Sequence, residues 1–137
     1  MKKLTQLRQM LTENHLINNP DSLQISVKDG NVIPLTNEKL TYSYRYTFCL
    51  TLDEYPLPFD DVITHIISWM NINQPEFMTN PTLRQQAIRF NAEQITDTHC
   101  RLHIELQLTD RIRVEKSEQG LTYHAISDKS PDERYFE

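Results

Sequence analysis

Residues 40–52 alternate without a fault: Leu40, Tyr42, Tyr44, Tyr46, Phe48, Leu50 and Leu52 on one side, Thr41, Ser43, Arg45, Thr47, Cys49 and Thr51 on the other. Strand side chains point to opposite faces in turn, so this stretch predicts a long strand with one apolar and one polar face. Pro56 and Pro58 break it. The following segment, PFDDVITHIISWMNINQP, carries Phe59, Val62, Ile63, Ile66, Ile67, Trp69 and Met70 at helical spacing. Asp60 and Asp61 sit in its first turn, where carboxylates suit the helix dipole, and Pro75 closes it. The apolar arc of this helix needs a surface to cover. The row Tyr42, Tyr44, Tyr46 and Phe48 just before it is the expected floor.

The same periodicities organise the rest of the chain. Leu4, Leu7, Met10, Leu11 and Asn14 predict a helix over 3–16, ended by Asn18-Asn19-Pro20 because the residue before proline avoids helical angles. Leu23, Ile25 and Val27 alternate up to Asp29-Gly30, a two-residue hairpin signal. Pro34 limits the expected return strand to a short or edge role. Residues 76–85 read as a loop with Pro81. Ile88, Phe90 and Ala92 restart a strand, Asp97-Thr98 is a turn, and Leu102, Ile104, Leu106, Leu108, Ile112 and Val114 mark a second long strand. SEQG, 117–120, turns the chain into a last strand with Leu121, Tyr123 and Ala125. With helices segregated from the run of strands, the expected class is α+β: an antiparallel or mixed sheet with one face covered by one or two helices. Residues 1–126 are expected to form one domain, and 127–137 a polar, mobile tail.

Composition refines this picture. Hydrophobic residues make up 38% of the 137, below the ~45–50% of an average globular chain. A thin core, completed by partners, is the expectation. The net charge of −5 argues against sequence-independent grip on DNA, which needs clustered Lys and Arg. No apolar run is long enough for a membrane helix, and MKKLTQLRQM lacks the apolar centre of a signal peptide. Cys49 and Cys100 are therefore read as reduced thiols of a cytoplasmic protein.

Chemistry is sparse. Gly30 and Gly120 are the two glycines and both are used in turns, so no phosphate loop, dinucleotide fingerprint or nucleophile elbow can be written. Cys100 and His103 point to opposite faces of a regular strand and are not expected to share a metal. Asp53-Glu54 and Asp60-Asp61 read as a loop charge and a helix cap. Trp69 and the tyrosine row read as core rather than as a platform for nucleic acid, since Arg45 points away from them. No catalytic, cofactor or metal residues are expected. Arg45, Arg111, Arg113 and Glu115 lie on polar strand faces. They are either a solvated surface or an interface with another subunit or partner.

Three stretches together carry a resemblance. LRQMLTENHLINNPDSLQISVKDG combines a helix, an Asn/Pro break and a strand. YTFCLTLDEYPLPFDDVITHIISWMNINQPEFM is a strand, an acidic break and an apolar helix, with Trp69 followed by Asn73-Gln74-Pro75-Glu76. LHIELQLTDRIRVEK is a late strand containing Leu-Thr-acid-Arg. This arrangement resembles the tail completion protein R family of Peduovirus-type contractile-tailed phages, over roughly residues 4–126. The resemblance implies a non-enzymatic structural protein, without cofactors, at the head-proximal end of a phage tail, capping it and preparing it for the head. By analogy with tail terminators it implies a terminator-like fold and a ring of identical subunits, commonly six. The implied partners are the chain itself, tail tube and sheath proteins, and head–tail connector proteins, with no sequence-specific nucleic acid and no membrane. Its implied place is the virion tail, assembled in the bacterial cytoplasm. The acidic balance suits a ring through which DNA slides, because a basic lumen would hold phosphates. The competing reading is a monomeric cytoplasmic binding module, of adaptor or immunity type, that uses its polar sheet face.

Overall fold

The structure, a computed structural model, describes residues 2–17, 19–35 and 40–126. Helix α1 spans Lys2–Glu13 and buries Leu7 and Leu11 completely. It ends earlier than the periodicity suggests. Asn14 Nδ2 donates to the Met10 carbonyl, and His15 adopts a φ of 56°, the left-handed conformation that commonly follows a helix end.

After a 3-10 turn at Pro20–Ser22, strand β1 runs over Leu23–Pro34. The expected hairpin at Asp29-Gly30 is not formed. Both halves of β1 pair antiparallel with the next strand, and the register shifts between Lys28 and Asn31. Asp29, at φ 54°, takes the left-handed geometry that made the dipeptide look like a turn. That geometry here accommodates one extra residue in a bulge, because the facing strand is long enough to offer partners on both sides of it. As Pro34 required, β1 is an edge strand.

Strand β2 covers Thr41–Pro56, with a second bulge between Leu52 and Tyr55 where Glu54 has φ 52°. Its even face buries Tyr46, Phe48, Leu50 and Leu52. Helix α2, Asp60–Asn73, contributes Val62, Ile66, Trp69 and Met70 to the same core. Ile67, expected in the arc, is exposed. It lies one step, about 100°, round the helix from Ile66, beyond a buried stripe narrower than the apolar arc.

The tyrosine row is only partly roofed. A helix of 14 residues is about 21 Å long, whereas a strand of 16 residues is about 53 Å. Tyr46 and Phe48 lie fully in the core, while Tyr42 and Tyr44 are half-buried and pack edge-to-face on each other, with ring centroids 5.3 Å apart.

Residues 76–85, expected as a loop, hold most of two short helices, α3 (Pro75–Thr79) and α4 (Pro81–Arg84). Proline suits the first helical position, which has no N–H partner to lose. Asn80 caps α4, accepting from the amides of Thr82 and Leu83. Strands β3 (Ile88–Gln94), β4 (His99–Ser117) and β5 (Gly120–Ile126) follow as the alternation indicates. Gly120, at φ 117°, closes the turn between β4 and β5.

All ladders are antiparallel. The sheet order is β1-β2-β4-β3, with β5 also paired to β4, and the class is α+β. The polar face of β2 is drier than expected, since Ser43, Thr47 and Cys49 are buried. Small side chains there are flanked by long ones on β4, and Gln107 Nε2 donates to Thr47 Oγ1 at 3.0 Å. Among the described residues no helix is long and apolar enough to cross a membrane. The expected tail, 127–137, lies outside the described residues.

Candidate functional site

Strand β4 has β2 on one side and two short strands on the other. β3 pairs with residues 100–106 and β5 with residues 111–117. Between them, at 107–110, the edge of β4 lacks a strand, and its polar backbone groups need other partners. The Gln107 amide donates to the Ala87 carbonyl. The Thr109 amide donates to Gln74 Oε1 at 3.0 Å, and Gln74 Nε2 donates to Thr109 Oγ1 at 2.6 Å. Lys3 Nζ donates to Gln74 Oε1 at 3.0 Å and also to the Thr109 carbonyl. Gln74 is 0% exposed. Two side chains thus replace the missing strand. On the core face beside them, the Tyr46 hydroxyl donates to Asp110 Oδ2 at 2.5 Å.

This explains two sequence features that had no assigned role. Gln74 belongs to Asn73-Gln74-Pro75-Glu76, and Thr109-Asp110 to the Leu-Thr-acid-Arg segment. They meet across the gap. Pro75 then starts α3, which brings Phe77 to the guanidinium of Arg45, 5.6 Å from the ring centroid. Sequence reasoning missed Lys3, Gln74 and Phe77 as a group. The signal available was a polar Gln between an apolar helix and a proline, followed two residues later by an isolated aromatic.

The outer face of the sheet carries Arg45, Arg111, Arg113 and Glu115, the four residues read as either a solvated surface or an interface. Arg45 pairs with Thr109 in the ladder, Ser43 with Arg111, and Thr41 with Arg113. Arg111 and Arg45 border a hollow with Ile33, Leu35, Ser43, Glu76 and Thr109. Arg111 Nε is buried and has no hydrogen-bond partner among the described residues. Arg113 is exposed. Glu115 accepts from His124 Nε2 at 2.8 Å, across to β5. The opposite face of this end is apolar and uncovered by α2: Val32, Leu40, Leu121 and Tyr123 are each more than half exposed.

The chemistry-bearing groups Cys100 and His103 separate as the alternation requires. Cys100 is in the core, where burial pushes its thiol up, away from the reactive thiolate. His103 is on the outer face, where its Nδ1 is 2.8 Å from Thr51 Oγ1. Asp60 and Asp61 are exposed in the first turn of α2. Lys28 Nζ is 2.8 Å from Glu105 Oε1; the hydrogen bond to this ammonium lowers the Glu105 carboxyl and raises Lys28.

The model of a family described as P2 phage tail completion protein R (GpR) matches residues 1–132. The chain belongs to that family. "Tail completion protein R" of Escherichia phage P2 is 30% identical over 135 residues, which cover 97% of this chain and 87% of that protein. No solved structure matches significantly. The chain is a phage tail completion protein, and the monomeric adaptor is not favoured. Both segments that meet at Gln74 and Thr109 lie within the matched region.

Proposed function

We propose that this chain is a non-catalytic subunit that caps the head-proximal end of a tail and joins copies of itself there into a ring. Its partners are tail tube and sheath on one side and head–tail connector proteins on the other, and the complex assembles in the bacterial cytoplasm. The observation that carries this reading is the end of the sheet that overhangs α2. One face offers Val32, Leu40, Leu121 and Tyr123 to contact, and the other offers Arg45, Arg111 and Arg113. A buried donor left unpaired costs about 1–3 kcal/mol. Arg111 Nε, without a partner among the described residues, would be satisfied by an acceptor from a neighbouring subunit. Among the described residues no further strand pairs with β1 on one side of the sheet or with β3 and β5 on the other. Contacts between different surfaces of identical copies close into rings when the rotation permits.

The test separates folding from assembly. Arg113 is exposed on the ladder, so Arg113→Glu is expected to change stability by no more than about 0.5 kcal/mol. The same variant should fail to restore complete particles in a host lacking the wild-type gene. Thermal unfolding of the purified variant and electron microscopy of the lysate check the two halves. Wild-type particle numbers with Arg113→Glu would remove the outer face from the interface.

A further inference from the structure

We propose that Cys49, His103 and Glu105 form a binding site for one borderline-soft divalent metal ion, of which Zn2+ is the best fit. Cys100, the cysteine near His103 in sequence, faces the core, as strand alternation requires; the ladder places His103 beside Cys49 instead. Cys49 on β2 stands directly opposite Glu105 on β4, and His103 is two residues from Glu105 on the same strand. All three side chains therefore share the outer face. The sulfur, one imidazole nitrogen and one carboxylate oxygen all lie within 4.8 Å of one another. In a tetrahedral zinc site with ordinary bond lengths, ligand atoms are roughly 3.5 Å apart, so small side-chain rotations bring them to bonding distance.

The surroundings suit a ligand set. Thr51 Oγ1 lies 2.8 Å from His103 Nδ1, and His103 Nε2 lies 3.9 Å from Glu105 Oε2. With Nδ1–H donating to the hydroxyl, the Nε2 lone pair faces the carboxylate, the outer-shell arrangement that orients a metal-binding imidazole. His103 also borders an open hollow with Asn91, Glu93 and Arg101, so the imidazole is reachable from solvent. A cation already stands here: Lys28 Nζ is 2.8 Å from Glu105 Oε1. Its side chain is 51% exposed and sits on a flexible stem, so it can swing into water when a metal enters. Binding would form a metal–sulfur bond and release the Cys49 thiol proton to solvent. Thiolate, neutral imidazole and carboxylate then carry two negative charges, matching a divalent ion and leaving its fourth position to water.

Titration of the intact purified chain with Co2+, as a spectroscopic stand-in for Zn2+, tests the site. One equivalent should produce a thiolate-to-cobalt absorption band, and Zn2+ should displace it. The band should vanish in Cys49→Ser and persist in Cys100→Ser. His103→Gln, at a half-exposed position that folding tolerates, should weaken binding at least about tenfold, and Thr51→Val about tenfold through loss of the outer-shell bond. Lys28→Met should tighten it by removing the competing ammonium. Absence of a band with the folded wild-type chain, or a band that survives Cys49→Ser, overturns the proposal.

Discussion

Replacing Ile66 by aspartate abolishes folding of the isolated chain; that is the expected result, read as loss of the native circular-dichroism spectrum and of a cooperative melt. Ile66 is 0% exposed and packs in the same core as Phe48, Leu50 and Leu106. Burying each such side chain contributes about 1.5–3 kcal/mol. An ionised carboxylate at this position forfeits that gain and also loses its hydration without a partner, at a cost of several kcal/mol. Whole domains are stable by only about 5–15 kcal/mol. Ile66→Val, which removes one methylene, should cost about 0.5–1.5 kcal/mol and leave a folded protein. A cooperative native melt from Ile66→Asp would show that α2 does not roof the sheet as described.

Gln74→Leu has the second-largest expected effect, and it is the more particular test because the site is polar. Leucine keeps the approximate bulk but offers nothing to the Thr109 amide, the Thr109 hydroxyl or the Lys3 ammonium. Each buried group left unpaired costs about 1–3 kcal/mol. A total of about 2–6 kcal/mol follows if two of them find no substitute. Urea denaturation should give a lower midpoint at an unchanged slope, the signature of lost stability rather than altered compactness. Glu76→Ala, in the same four-residue segment but exposed, should stay within about 0.5 kcal/mol of wild type. Equal effects from the two substitutions would mean that Gln74 does not close the gap in the β4 edge.

Much of this fold can be read along the chain because strand and helix periods are local. The alternation in 40–52 and in 102–114, the apolar positions of α2, and the turn at Gly120 each announce themselves within a few residues. Asp29-Gly30 shows the limit. The same backbone angles serve a turn and a bulge, and only the length of the facing strand decides between them. The site was less legible, for the same reason. That Arg111 shares a face with Arg45 follows from strand register, which a period-two pattern constrains only if the partner strands are known. The break in pairing at 107–110, and hence the role of Gln74, depends on which strands flank β4. Cys49 meets His103 and Glu105 only through the β2–β4 register, more than fifty residues apart in sequence. The family resemblance marked Asn73-Gln74-Pro75 as specific before any physical role could be given to it.

The central claim is that this chain completes the tail so that it can accept a head. Electron microscopy of particles from a host in which only this gene is deleted tests it most directly. The account predicts filled heads and separate tails, with joining restored by the wild-type chain supplied from a plasmid. Normal-length tails joined to heads in its absence would contradict it.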